Sequence, residues 1–197
     1  MAVFWIIFGQ ELRLNFRHLE KILANFLFFI IFLTVFLLIS QNSGETTFIW
    51  FALLSCLIFS NSEFLKKDFE DGSLEQIMLA YENFETAIFA KMLVSWISSC
   101  LMILPIIFLL KPDVEFLKII FLASLAINFL CCFCGSLSIL ANSAPLVAVI
   151  ILPLIIPILL VAQGDAEVGI KLLSGLVVFV GIIAVFATAK IVKIASE

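Results

Sequence analysis

Residues 116–140 read FLKIIFLASLAINFLCCFCGSLSIL, an apolar run with a single charged side chain, Lys118, near its start. A helix of that length rises farther than the roughly 30 Å hydrocarbon core of a bilayer, at about 1.5 Å per residue. Five more apolar stretches flank it, at about Ile22–Ile39, Thr47–Ser62, Ala87–Leu110, Pro145–Ala162 and Ile170–Ala189. Short polar turns separate the last four spans, and no linker interrupts the chain. The expectation is therefore an all-α, polytopic membrane protein of six transmembrane helices, forming one domain over residues 1–197. Thr47–Ser62 is the shortest candidate and carries Ser55, Ser60 and Asn61.

Composition agrees. Hydrophobic residues make up 64% of the chain and charged ones 13%, with a mean hydropathy of +1.27. A soluble domain of this size carries about twice that charge and could not cover the apolar surplus, whereas lipid-facing side chains must be apolar. A net charge of −4 argues against a nucleic-acid partner, which would call for a basic patch. Cys56, Cys100, Cys131, Cys132 and Cys134 all lie in apolar runs, where a thiol behaves as a small hydrophobe. Their spacing has no C-x-x-C pair and no nearby histidine, so they read as buried packing residues and not as metal ligands or a disulfide framework.

The N-terminal stretch 3–21 is amphipathic. Phe4, Ile7, Phe8, Leu12 and Phe16 recur at helical spacing, opposite Glu11, Arg13, Arg17 and Lys21. Such a helix can lie in the membrane interface, against anionic lipid, or stand as a solvated arm. The apolar start followed by charge is the reverse of a secretory signal peptide, so the first span is expected to direct insertion. With the N-terminus inside, the cytoplasmic side holds Arg13, Arg17, Lys21, Lys66, Lys67, Lys91, Lys190 and Lys193, and the outer side only Lys111, Lys118 and Lys171. That bias predicts both termini in the cytoplasm.

One polar stretch, Glu63 to Leu79, lies between the second and third spans. Gly72 suits a left-handed helix C-terminus, and Ser73 with Gln76 reads as a capping box opening a new helix. Leu74, Ile77, Met78 and Tyr81 form one apolar stripe. The stretch is predicted to be two short helices broken at Asp71-Gly72-Ser73. The pattern admits two uses: a rigid elbow that docks on a cytoplasmic subunit, or an amphipathic loop resting on the bilayer.

Inside the spans, Asn128, Ser95, Ser98, Ser99 and Ser136 can hydrogen-bond between helices. Lys91, one turn into the third span, can snorkel. Pro105 is expected to kink that span, and Pro153 and Pro157 to bend the fifth. No ionisable side chain falls at a midplane, which argues against a proton-coupled transporter. The one histidine, His18, lies outside the spans, so there is no bis-histidine haem site; Met92 and Met102 sit among apolar neighbours. No G-x-x-x-x-G-K-[ST] loop is present. Catalytic, cofactor-binding and metal-binding residues are all absent from this reading, and the chain is not an enzyme by itself.

The run Asp68-Phe69-Glu70-Asp71-Gly72-Ser73-Leu74-Glu75-Gln76-Ile77-Met78-Leu79 resembles the D-x-x-D-G-S-L-E-Q-L-M-L signature of the CcmB family, the haem exporter protein B permeases of cytochrome c maturation. Similar stretches occur in the same order at Glu11-Leu12-Arg13 with Phe16-Arg17, at Ala90-Lys91 with Trp96, and at Leu152-Pro153-Leu154-Ile155-Ile156-Pro157. After the signature the family usually continues L-P-L-P, where this chain has Ala80-Tyr81-Glu82-Asn83. The resemblance implies a six-helix ABC transporter permease of the bacterial inner membrane, working as a homodimer with a cytoplasmic CcmA-like ATPase and with CcmC- and CcmD-like membrane proteins. Asp68, Asp71, Gly72, Ser73, Leu74, Glu75 and Gln76 would be its ATPase-coupling loop. Haem would be held by partner subunits. A permease exporting a lipid, drug or polysaccharide, or a non-transporting membrane scaffold, would share the spans but not the signature.

Overall fold

The computed structural model describes residues 2–17, 19–39, 45–62, 64–80, 83–101, 103–141 and 144–196. Among the described residues the chain forms helices throughout: α1 (Ala2–Arg17), α2 (Leu19–Ile39), α3 (Glu45–Asn61), α4 (Lys66–Glu70), α5 (Ser73–Ala80), α6 (Phe84–Cys100), α7 (Ile103–Leu110), α8 (Val114–Ala141), α9 (Ala144–Ala162) and α10 (Ala166–Ser196).

Each predicted apolar stretch coincides with helix, but their lengths differ. Three stretches among the described residues are long and apolar enough to cross a bilayer: Thr46–Glu70, Val114–Leu140 and Ala166–Ser196. A fourth is formed if α6 and α7, bent by 45° at their junction, are taken as one span. The remaining two predicted spans fall in α2 and α9, within which Ile22–Val35 and Val149–Ala162 are apolar helix among the described residues. The protein is thus a multi-span helical membrane protein, with three or four bilayer-length segments among the described residues where the sequence suggests six.

The bend between α6 and α7 has a local cause. It interrupts the helix at Leu101, four residues before Pro105. A proline ring clashes with the carbonyl of residue i−4 and supplies no N–H to it, so the break falls where the sequence put it. Pro153 and Pro157 lie inside α9.

The central helix is α8, which packs against α3, α9 and α10. One apolar core joins Phe29 of α2, Leu53 and Leu57 of α3, Ile103 and Ile107 of α7, Ile120 and Ile127 of α8, and Ile151 and Ile155 of α9. Glycines let the helices approach closely. At Gly135 of α8 an added Cβ would collide with the Asn61 carbonyl at the end of α3, and at Gly181 of α10 it would press on the Phe129 ring at 3.2 Å. All five cysteines are buried and free, as packing residues should be.

Polar side chains knit the same bundle. The Nδ2 of Asn61 donates to Leu57 O at 2.9 Å and to Asn128 Oδ1 at 3.1 Å, while its Oδ1 accepts from Ser95 Oγ at 2.6 Å and Cys132 Sγ at 3.3 Å. Asn128 in turn donates to Met92 O at 3.0 Å. Ser60 bridges Asn25 Nδ2 (2.8 Å) and Ser99 Oγ (2.9 Å), so α2, α3 and α6 are stitched together. Ser95 and Ser99 therefore bond between helices as expected. Ser98 and Ser136 do not: each donates back to a carbonyl three residues earlier in its own helix.

One end of the bundle gathers α1, the α4–α5 elbow, the start of α6 and the end of α10, where Lys193 pairs with Glu85 at 3.1 Å. The opposite end carries a cleft of about 340 Å³, lined among others by Thr47, Trp50, Asp113, Phe116 and Gln163.

Candidate functional site

The elbow between α3 and α6 contains two short helices, α4 and α5, separated at Asp71 and Gly72. Its first helix, α4, ends as Asp71 N–H bonds to Lys67 O (2.9 Å) and Gly72 N–H to Phe69 O (3.1 Å). Gly72 then turns with φ +70°, the left-handed conformation that glycine alone adopts without strain. The capping box does not form. Ser73 is already the first helical residue of α5, so its hydroxyl donates backward to Asp68 O at 3.0 Å. The N–H of Gln76 is taken by the Gly72 carbonyl at 3.4 Å. The effect is still a lock, because Ser73 ties the second helix to the first.

The elbow is fastened from below by apolar contacts. Leu74 is fully buried in a cluster with Leu65, Phe84, Ile88, Met92, Phe129 and Val192, and Ile77 and Met78 pack against its edge. Tyr81, the last member of the predicted stripe, lies outside the described residues. Leu65, which leads into α4, holds φ +65° while buried. A branched side chain in that region costs about 1–2 kcal/mol, so the cluster stabilises a strained entry into the elbow.

The seven residues assigned to the site divide into two groups. Leu74 faces the bundle, and Asp68, Gly72 and Ser73 are partly covered and make the elbow's internal bonds. Asp71, Glu75 and Gln76 face outward, together with Lys67, Glu70, Ala80 and Leu79, the last 90% exposed. The outward surface is acidic with an apolar point at Leu79.

Sequence reasoning missed what holds Asp68. Lys91 of α6 does not snorkel to water. Its side chain is 6% exposed, and its Nζ meets Glu11 Oε1 of α1 at 2.5 Å and Asp68 Oδ2 at 2.8 Å. Beside it, Ile7 of α1 rests on Ala87 and Ala90, with Phe4, Phe8 and Ile77 around them. The two alanines leave the space α1 needs. Three of the stretches that carry the family resemblance, around Glu11, Asp68 and Lys91, thus converge on one ammonium group.

Among the described residues no group of three or more His, Cys, Asp or Glu is placed to hold a metal. Met92 is buried in the apolar cluster, with its carbonyl taken by Asn128; Met102 and His18 lie outside the described residues. What the geometry provides is a braced polar elbow at one end of an apolar bundle.

Fold and site together define a helical, multi-span membrane protein that carries a short two-helix elbow at one end and has no G-x-x-x-x-G-K-[ST] loop in its sequence. The family described as CcmB protein matches residues 2–195, and the chain belongs to it. It is 26% identical over 184 residues to heme exporter protein B of Pseudomonas aeruginosa, covering 86% of this chain and 82% of the relative. Against heme exporter protein B of Haemophilus influenzae the identity is 26% over 185 residues, covering 84% and 81%. Against heme exporter protein B of Escherichia coli K12 it is 33% over 100 residues, so that the match spans 48% of this chain and about half, 46%, of the relative.

Proposed function

We propose that the chain is the transmembrane permease subunit of an ABC transporter complex required for haem delivery or export in c-type cytochrome maturation. The elbow formed by α4 and α5 is its contact with a separate cytoplasmic ATPase of the CcmA type. The observation that carries this reading is the division of the signature residues. Leu74 and Ser73 lock the elbow in place, while Asp71, Glu75 and Gln76 stay free to meet a partner. A floppy loop would absorb a push; a helix pair braced on a buried cluster transmits it.

In this reading α2, α3, α8, α9 and α10 each cross the bilayer, and α6 and α7 cross as one broken span, which makes six. The whole chain is then one domain of the bacterial inner membrane with both termini cytoplasmic. Support comes from the Lys193–Glu85 pair, which lies at the same end as α1 and the elbow, as an even number of crossings requires. The complex would contain a second copy of this chain and CcmC- and CcmD-like membrane proteins. Haem is bound by those partners in this reading; in the interior of this chain the Asn61, Asn128, Ser95 and Cys132 side chains bond to one another.

Charge reversal on the outward surface tests the proposal. Asp71→Arg with Glu75→Lys should leave insertion of the spans unchanged, abolish co-purification of the ATPase subunit and deplete c-type cytochromes. Unchanged co-purification together with unchanged cytochrome levels would leave the chain a scaffold.

A further inference from the structure

The ammonium of Lys91 is buried where packing alone does not need it. Its neighbours Ala87, Ala90 and Met92 are apolar and buried. A neutral chain of similar length would fill the space without the cost of taking an ion out of water. What the charge does is hold two carboxylates from elements that are otherwise distant in the chain, Glu11 in α1 and Asp68 in α4.

The two arms are unequal. Glu11 is 18% exposed and Asp68 38% exposed. Coulomb attraction weakens as water enters, so the Asp68 arm is the more strongly screened of the two. Beside the charges, Ile77 of α5 touches the patch where Ile7 of α1 meets Ala87 and Ala90, giving a parallel apolar path between the same elements.

We propose that Lys91 is a positioning residue that joins the N-terminal helix to the elbow, so that force arriving at α4 and α5 is passed through Asp68, Lys91 and Glu11 into α1 as well as into α6. The inference rests on the coupling role proposed above. It makes α1 a second output of the elbow, not a passive membrane anchor.

The test uses the full chain in its complex, reconstituted in lipid nanodiscs, with backbone amide exchange read over α1 and the elbow. Lys91→Met should speed exchange in both segments by about tenfold or more, with α8 unchanged, and Lys91→Arg should stay within about twofold of wild type. Lys91→Met strands two carboxylates and can fail to assemble, so a neutral triple variant, Glu11→Gln with Lys91→Met and Asp68→Asn, accompanies it. That variant should fold and insert normally, and because Asp68 belongs to the coupling loop its binding of the ATPase subunit is measured directly before exchange is compared. Binding of the nucleotide-loaded ATPase subunit should slow exchange in α1 by about tenfold in wild type and Lys91→Arg, but by only about threefold in the neutral triple variant, where the Ile77–Ile7 contact remains. Protection of α1 passed on undiminished by the triple variant would overturn the proposal, as would Lys91→Met exchange equal to wild type. An ATPase subunit that never binds the elbow would sink the functional reading, and the Lys91→Met comparison would still decide this one.

Discussion

Leu74 and Leu79 sit five residues apart in the same short helix and should answer truncation in opposite ways. Leu74 is the buried residue of α5 and is wholly enclosed by Leu65, Phe84, Ile88, Met92 and Val192. Removing a fully buried leucine side chain to alanine costs about 2–5 kcal/mol, the spread reflecting how far the cavity collapses. A helix of eight residues has almost no stability of its own, so the loss falls on local opening of the elbow before it touches the bundle. At about 1.4 kcal/mol per decade, Leu74→Ala should lower amide protection over residues 73–80 by about 30-fold to several thousand-fold, limited by the protection the elbow has to lose. Leu79 is 90% exposed, and its truncation should stay within about 0.5 kcal/mol, or less than about threefold in exchange. Hydrogen exchange with mass-spectrometric readout on both variants is the assay, with α8 as the internal reference. Wild-type exchange in Leu74→Ala, or equal loosening by Leu79→Ala, would refute the claim that the elbow is braced through Leu74.

Three further expectations follow from the geometry. Gly135→Ala drives a methyl group into the Asn61 carbonyl and against Phe64 Cβ at 3.1 Å; it should cost about 1–3 kcal/mol and lower the Tm read with a thiol-reactive dye on the five buried cysteines, and an unchanged Tm would contradict that contact. Gly72→Ala has open space around it but must hold φ +70°, so it should loosen the elbow by about 1–2 kcal/mol, with Gly72→Asn milder; equal exchange in the two variants and wild type would show that the turn tolerates any residue. The Thr188 hydroxyl is buried with no hydrogen-bond partner among the described residues, so Thr188→Val should hold or raise the Tm, since an unsatisfied buried hydroxyl is a cost; a fall of several degrees would reveal a bond to it.

The features legible in the sequence were those set by local stereochemistry. Gly72 announces a left-handed turn, the Leu74 and Ile77 spacing announces a buried stripe, and Pro105 announces a break one turn upstream; each needs only a few neighbouring residues to decide it. The capping box failed because it depended on a one-residue shift in where α5 begins, and Ser73 found a nearer acceptor at Asp68. Lys91 was misread for a different reason. One turn inside an apolar run, a lysine ordinarily reaches for water, and nothing local shows that Glu11 and Asp68, far away along the chain, arrive beside it. The serines make the same point: Ser95 and Ser98 look alike in sequence, but only Ser95 faces Asn61.

The side of the membrane on which α5 stands decides the account most directly. A cysteine placed at Glu75 should react with a membrane-impermeant maleimide in sealed inside-out vesicles, resist it in right-side-out ones, and become protected when the ATPase subunit is added. Labelling from the periplasmic face would contradict the coupling role outright.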